Sequence, residues 1–194
     1  AIDATPSTPT PAGHRVLRRP EPHPRARHRQ VRPHGRTREC RFKGAAEYDT
    51  IARIKQSVRI PIIANGDINT PKKAAQVLAH TKADGLMIGR PAMGKPWLFD
   101  QIQHYLVTGA NKPDPEISLR LRIIETHLKE IHVFYGKTKG VWYARKHVAR
   151  YVEGLKNSKE FLRSFNKKTE GPAQIDLLGS YFASLAKDCE AESA

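Results

Sequence analysis

The chain has 194 residues, of which 34 are Lys or Arg and 19 are Asp or Glu. The resulting net charge of +15 and a sequence pI near 10.1 favour a polyanionic partner over a hydrophobic surface. The length falls short of the roughly 250 residues of a complete (β/α)₈ barrel, and no apolar run approaches the roughly 18 residues of a membrane-spanning helix. Two cysteines, Cys40 and Cys189, are too few for a disulfide framework or a four-ligand zinc site. Together these features predict a cytoplasmic protein with no membrane and no metal.

Residues 1–33 have the composition of a segment that cannot form a core. They hold 7 of the 14 prolines and 7 arginines, and their only large aliphatic residues are Ile2, Val16, Leu17 and Val31. This composition predicts disorder, and a basic arm that touches nucleic acid is the functional alternative. A third interpretation rests on the abrupt change to patterned sequence at His34: residues 1–33 are out-of-frame or mis-joined sequence.

Residues 45–107 alternate between helical and strand patterns, which is typical of an α/β protein. The predicted elements, in chain order, are a helix over 45–57, a strand over 60–65, a helix from Asn69-Thr70-Pro71 to about Ala79, a strand over 85–88 and a helix over 96–107. Pro71 suits the first turn of a helix. Strand, helix and strand within about 30 residues form a βαβ unit with parallel strands.

Burial is also predicted for this part of the chain. The continuous apolar character of 85–88 favours a strand that is covered on both faces. Aromatic residues at the start of the last helix are expected in the core, where they would not stack on a ligand. The residues expected to face inward are Ala74, Ala75, Leu78, Trp97, Leu98, Phe99, Ile102 and Leu106.

The segment TGANKPDPE, residues 108–116, predicts a domain boundary because it contains one glycine and two prolines. Apolar residues at spacings of three and four then predict a long amphipathic helix; they are Ile117, Leu121, Ile124, Leu128, Ile131 and Tyr135. Further helices are expected over 141–155, 159–166 and 174–188, which completes a small bundle. The buried face of the helix over 141–155 is expected to be Val141, Ala144, Val148, Val152 and Leu155.

A glycine-bearing turn follows each predicted strand: Asn65-Gly66-Asp67 after the first and Gly89-Arg90 after the second. The carboxyl ends of parallel strands are where α/β proteins bind ligands. Glycine lets the backbone approach a ligand closely, converging N–H groups can surround a phosphate, and Arg90 can add a bidentate contact. Together the turns predict a phosphate site, although each glycine alone is more typical of an ordinary turn, and Asp67 is equally typical of a turn or cap.

Positive charge is concentrated in the helical part, since residues 120–170 carry +8. Trp142, Lys146 and Arg150 form one stripe at i, i+4 and i+8. Like charges at this spacing repel each other, so the stripe indicates an anion such as RNA across the surface; the alternative is a solvated cationic face. The other cations of this patch are Lys137, Lys139, Arg145, Lys156, Lys159, Arg163, Lys167 and Lys168.

Four motifs occur in order: HGRTR at 34–38, IPIIANGDI at 60–68, ADGLMIGRPAMGKPWLF at 83–99 and GVWYARKHVARYVEGL at 140–155. Several phosphate-binding barrels share the second and third motifs, whereas HGRTR with the ARKH helix is much more specific. In this order and spacing the motifs resemble the C-terminal half of bacterial tRNA-dihydrouridine synthases. The resemblance covers about residues 34–185 and leaves 1–33 unmatched.

The resemblance implies that residues 34–109 are the C-terminal portion of an FMN-binding TIM barrel and that residues 116–188 are a helical tRNA-binding domain. It implies reduction of uridine in tRNA to 5,6-dihydrouridine, with FMN as cofactor and NADPH as electron donor. The residues that it assigns to FMN are His34, Asn65, Gly66, Asp67, Gly89 and Arg90. With RNA as the implied partner of the basic patch, the residues expected to bind tRNA are Lys139, Arg145, Lys146 and Arg150. We expect a monomer.

The chain also departs from the family pattern. The family's proton donor is a cysteine in an Asn-x-Cys-Pro context that precedes HGRTR, and a flavin-contacting lysine also lies in that half; neither is in this sequence, so no catalytic residue is assigned. The strand that leads into His34 is expected to be missing, because RHRQVRP stands in its place. The sequence therefore predicts a truncated enzyme, inactive alone. The alternatives are an RNA-binding helical module without catalysis and another phosphate-binding FMN barrel oxidoreductase.

Overall fold

The computed structural model describes residues 31–33 and 46–192. In chain order its elements are α1 (Asp49–Ser57), β1 (Ile63–Asn65), α2 (Pro71–Thr81), β2 (Gly85–Met87), a 3₁₀ turn (Arg90–Ala92), α3 (Leu98–Thr108), α4 (Ile117–Tyr151), α5 (Ser158–Lys167) and α6 (Gly171–Glu192). Residues 46–108 form an α/β lobe and residues 117–192 a helical lobe, each around its own apolar cluster. Within the described ranges, no helix combines the length and apolarity that crossing a bilayer requires.

The predicted βαβ unit is confirmed. Strands β1 and β2 pair in parallel, with Ala64 opposite Leu86. The Thr70 hydroxyl caps α2 by accepting the Lys73 N–H at 3.1 Å, with Pro71 in the first turn. Asp84 is paired with Lys55 and accepts the Ile62 N–H at 2.7 Å, and these two contacts, that with Lys55 above all, hold the pKa of Asp84 below its usual value. The carboxylate thereby fixes the start of β2 against β1 and α1.

The expectation that the strand leading into His34 is missing needs correction at one residue, where an isolated bridge is formed. Val31 forms a parallel bridge to Ile62: its N–H donates to the Pro61 carbonyl at 3.2 Å, and its carbonyl accepts the Ile63 N–H at 3.0 Å. Strand pairing needs extended backbone more than any particular side chain, so the basic composition of RHRQVRP concealed it. His34, Cys40, the Cys189 side chain and most of 1–33 lie outside the described residues.

Several burial predictions for the α/β lobe need correction. Helix α2 buries Ala74, as predicted, and Val77. Ala75 and Leu78, which were also expected to face inward, are only partly buried. Phe99 and Leu106 are exposed, whereas Trp97, Leu98 and Ile102 are buried as predicted. Strand β2 is not covered on both faces. Met87 is 41% exposed because β2 pairs with β1 alone among the described residues and ends at a cavity.

The helical lobe is built around a sharp fold in α4. Gly136 has φ 75° and ψ 179°, which breaks the helix into two arms, 117–135 and 137–151. The arms return antiparallel, and a Cβ on Gly140 would lie 2.9 Å from the Cα of His132. This approach requires glycine. Leu128 and Val148 from the two arms meet Phe165 of α5 and Leu178 of α6 in the core.

The predicted buried face of the second arm is confirmed at Val141, Ala144, Val148 and Val152, all nearly inaccessible to solvent. Tyr135 was expected to continue the buried stripe of the first arm, but it is exposed. The chain turns at the next residue, Gly136, so the helical spacing no longer decides which way the ring points.

A histidine pair lies between the two arms of α4. The rings of His127 and His147 have centroids 4.9 Å apart, and His127 Nδ1 lies 3.0 Å from the Tyr151 hydroxyl. Burial lowers the pKa of half-buried His147 below its usual 6.5, and the charges of His127 and Lys146 lower it further. The folded protein therefore holds His147 neutral at a pH where the unfolded chain is protonated.

This difference predicts an acid-dependent loss of stability. Above about pH 6.5 His147 is neutral in both states and has no effect. As pH falls from 6.5 towards the lowered pKa of the folded state, the unfolded chain binds more protons and the free energy of unfolding decreases. We expect His147→Gln to make this decrease less steep in chemical denaturation between pH 7.5 and 5. An unchanged slope would show that His147 does not control it.

Candidate functional site

The turns that follow β1 and β2 open into one cavity of about 810 Å³. This follows from the parallel pairing, which brings both carboxyl ends to the same edge of the sheet. Five of the six residues predicted for the cofactor line this cavity: Asn65, Gly66, Asp67, Gly89 and Arg90. The sixth, His34, lies outside the described residues.

The turn after β1 is fixed by contacts with the chain that leads into α1. Gly66 and Asp67 have φ values of 137° and 44°. The Tyr48 hydroxyl donates to the Gly66 carbonyl at 2.7 Å, and Asp67 Oδ2 accepts the Ala46 N–H at 2.9 Å. Asp67 thus has the turn-stabilising contact that its sequence position allowed, while it also borders the cavity. Asn65 Nδ2 lies 3.7 Å from the Met87 sulfur.

The turn after β2 is tightly wound and leaves space at its glycine. The Ala92 N–H donates to the Gly89 carbonyl at 3.1 Å, and the Met93 N–H donates to the Arg90 carbonyl at 3.0 Å. A Cβ on Gly89 would meet no described atom within 4 Å. A ligand can therefore approach the backbone at Gly89 closely, beside the Arg90 guanidinium.

The helical lobe supplies part of the cavity wall, which the sequence did not reveal. Arg150 and Glu153, from the end of α4 and the turn after it, line the cavity with Lys95 of the loop after β2. A Cβ on Gly94, at φ +80°, would lie 2.3 Å from the Arg150 carbonyl oxygen. Gly94 therefore lies directly against the backbone of Arg150, and this close approach joins the two lobes at the cavity. In the sequence, only Gly94 pointed to a close contact at this place, and a glycine alone does not indicate which part of the chain approaches it.

Charged groups give the cavity an excess of positive charge. Among the described residues, three cations line it, Arg90, Lys95 and Arg150, against two carboxylates, Asp67 and Glu153. Arg150 Nη1 lies 3.4 Å from Glu153 Oε2, and this ion pair is exposed to solvent, which screens it. The excess of cations among the described lining residues and the open backbone at Gly89 make the cavity suited to an anionic ligand that carries a phosphate.

The residues predicted for RNA differ in their accessibility. Lys139 and Lys146 project into solvent from the second arm of α4, and Arg150 extends the same face as far as the cavity. We call Lys139, Trp142, Lys146 and Arg150 the basic stripe. Arg145 is different, because its Nη2 donates to the Lys168 carbonyl at 3.2 Å and its buried Nε has no hydrogen-bond partner among the described residues. Part of its guanidinium therefore faces the α5–α6 connection.

Metal ligation has no visible basis in the part of the chain that the structure covers. Among those residues, no group of three or more His, Cys, Asp or Glu side chains gathers in a way that could hold an ion.

Comparisons with known proteins identify a family and several relatives. The family described as Dihydrouridine synthase (Dus) matches residues 30–184. A protein named tRNA-dihydrouridine synthase B from Proteus vulgaris is 51% identical over 154 residues, which are 79% of this chain and 48% of that protein. Proteins of the same name from Yersinia pestis and Escherichia coli (strain K12) are 49% and 48% identical over 153 residues, again 79% of this chain and 48% of theirs. The chain spans about half the length of the curated relatives that it matches, and the family match begins four residues before His34.

Proposed function

Because this chain belongs to the dihydrouridine synthase family, we propose that it supplies the FMN phosphate site and the tRNA-binding lobe of a tRNA-dihydrouridine synthase. The α/β lobe would be the C-terminal portion of the family's TIM barrel. The proposed reaction is the reduction of uridine in tRNA to 5,6-dihydrouridine, with NADPH as the electron donor. A tRNA substrate agrees with the cytoplasmic setting that the sequence predicts. The observation that supports this proposal best is the cavity at the carboxyl ends of β1 and β2, which meets the basic stripe at Arg150.

The cavity fits FMN in size and in the charge of its lining residues. Its volume of about 810 Å³ lies within the range of ligand pockets, roughly 300–1,000 Å³. Arg90 and Lys95 would hold the phosphate, with the open backbone at Gly89 allowing its close approach. Asn65 and the turn at Gly66 and Asp67 would contact the rest of the cofactor from the end of β1.

When bound, FMN would supply the hydride for the uracil ring. This chain's own residues would hold the cofactor phosphate at one end of the cavity and bind the tRNA backbone along α4. The target base must leave its stack to reach the cavity. No residue of this chain is assigned to protonation of the uracil, because the family's Asn-x-Cys-Pro motif is not in this sequence. We therefore expect FMN and tRNA binding without turnover by this chain alone.

Removing the Arg90 guanidinium tests the phosphate site. In a fluorescence titration of the full chain with FMN, we expect Arg90→Ala to raise the Kd by roughly 10- to 100-fold, since a hydrogen bond to a charged group is worth about 1.5–3 kcal/mol. Arg59→Ala provides the matched control, because Arg59 is an exposed arginine of the same lobe that does not line the cavity. Equal FMN affinity for both variants would remove Arg90 from the site.

The FMN titration, together with a measurement of tRNA binding by the same chain, separates this proposal from the alternatives. FMN binding together with tRNA binding supports it. Binding of tRNA by a chain that does not bind FMN would favour a helical RNA-binding module, and FMN binding without tRNA affinity would favour another barrel oxidoreductase.

A further inference from the structure

Exposed aromatic rings gather where α4 folds back on itself. Phe134 is 74% exposed, Trp142 59%, Tyr143 44% and Tyr135 42%. We call these four residues the aromatic elbow. Large apolar side chains are normally buried, and a contiguous exposed group marks an interaction surface more often than a single exposed ring does.

Three rings of the elbow, those of Phe134, Tyr135 and Tyr143, support one another. Tyr135 and Tyr143, from opposite arms, have ring centroids 4.3 Å apart with planes tilted by 32°. Phe134 meets the edge of Tyr135 with centroids 4.8 Å apart. The left-handed φ of Gly136 directs the end of the first arm back beside the second. A ligand ring would therefore meet a surface that is already arranged, with a small entropic cost of binding.

The charge around the elbow selects the kind of partner. Residues 131–152 contain no Asp or Glu, but they contain five cations: Lys137, Lys139, Arg145, Lys146 and Arg150. Helical spacing puts Lys139, Trp142, Tyr143 and Lys146 on one exposed face. Aromatic rings between cations are typical of surfaces that bind single-stranded nucleic acid, where bases stack and phosphates meet Lys or Arg. An apolar protein partner would not need this concentration of like charge.

We propose that the aromatic elbow stacks an unpaired RNA base, so that the helical lobe recognises a loop or single strand in preference to a continuous duplex. This inference rests on the proposed function, because it takes RNA as the partner of the basic stripe. Tyr143 of the elbow precedes Arg150 by seven residues, a rise of roughly 10 Å along the second arm at 1.5 Å per residue. The RNA would thus be held by an unpaired base at the elbow and by its phosphates from there towards the cavity.

Binding to three fluorescently labelled RNA probes tests the proposal with the full chain: a 12-nucleotide oligouridylate, an abasic strand of the same length and charge, and a 12-base-pair duplex. We expect the oligouridylate to bind about tenfold more tightly than the abasic strand, because base stacking on an aromatic ring contributes roughly 1–3 kcal/mol. Quenching of Trp142 fluorescence should accompany binding of the oligouridylate only.

Variants of the elbow complete the test. Phe134→Leu and Tyr143→Leu keep an apolar side chain but remove the ring, and we expect each to weaken oligouridylate binding about fivefold or more while the salt dependence stays unchanged. Val133→Ala is the matched control, because Val133 is 85% exposed at the same place and has no ring. Equal affinity for the abasic strand and the oligouridylate, or no effect of the leucine variants, would overturn stacking and leave the elbow as a protein-facing surface. Failure of the wild-type chain to bind any RNA probe or tRNA would instead overturn the RNA-binding function on which this proposal rests.

Discussion

Gly94→Ala is expected to destabilise the protein by about 3 kcal/mol and to weaken FMN binding. Gly94 has φ +80°, where a side chain costs about 1–2 kcal/mol. Its Cβ would also lie 2.3 Å from the Arg150 carbonyl oxygen and 2.5 Å from the carbonyl carbon. That neighbour is helix backbone, which cannot move without displacing the end of α4, and overpacking of this kind typically costs a further 1–3 kcal/mol. The wall formed by Arg150 and Glu153 would move away from the cavity.

Thermal unfolding and FMN titration measure this prediction, and Gly109→Ala provides its control. Gly109 has φ +73°, so alanine meets the same left-handed strain, but a Cβ there would find no described atom within 4 Å. We expect the control to cost about 1 kcal/mol, a few degrees in Tm for a chain of this size, and to retain FMN affinity. If the two variants behave alike, the contact between the lobes at Gly94 does not hold the cavity wall.

Charge reversal along the basic stripe should have the largest effect on the affinity for RNA. We expect Lys146→Glu combined with Arg150→Glu to weaken tRNA binding at least tenfold at moderate ionic strength. The slope of log K against log salt should become shallower by roughly two units, about one for each phosphate that the variant no longer neutralises. Filter binding over a salt series measures both quantities.

A second charge-matched variant separates local contacts from net charge. Lys72→Glu with Lys187→Glu changes the charge equally at exposed positions on α2 and α6, away from the stripe. We expect this variant to keep the salt slope of the parent. Identical isotherms for the parent and the stripe variant would exclude this face as the RNA site. The single change Lys146→Glu shows whether the effect depends on Arg150, which also borders the cavity.

The sequence predicted those features that local chemistry determines. Thr70 and Pro71 mark the start of α2, and the glycine turns follow parallel strands, so the meeting of Asn65, Gly66, Gly89 and Arg90 at one cavity could be anticipated from topology. The role of these residues towards a cofactor stays a prediction, as do the domain boundary at 108–116 and the contact of the stripe with RNA.

Features that depend on contacts distant in sequence could not be predicted. Arg150 belongs to the cavity only because Gly94, more than 50 residues earlier, admits the backbone of α4. Val31 joins the sheet through backbone atoms alone, so its basic neighbours gave no sign of it. Tyr135 followed the apolar spacing of its helix, but a single left-handed residue, Gly136, turned it outward.

The position of Arg150 at the junction of the cavity and the stripe has a thermodynamic consequence. Under the proposed function, the Arg150 guanidinium borders the places of two anionic ligands, so binding of one ligand alters the electrostatic potential at the place of the other. Linkage then requires reciprocity. If bound cofactor changes the affinity for RNA by some factor, bound RNA changes the affinity for the cofactor by the same factor. Under this proposal, the affinity of the chain for nucleic acid would depend on whether a flavin occupies the cavity.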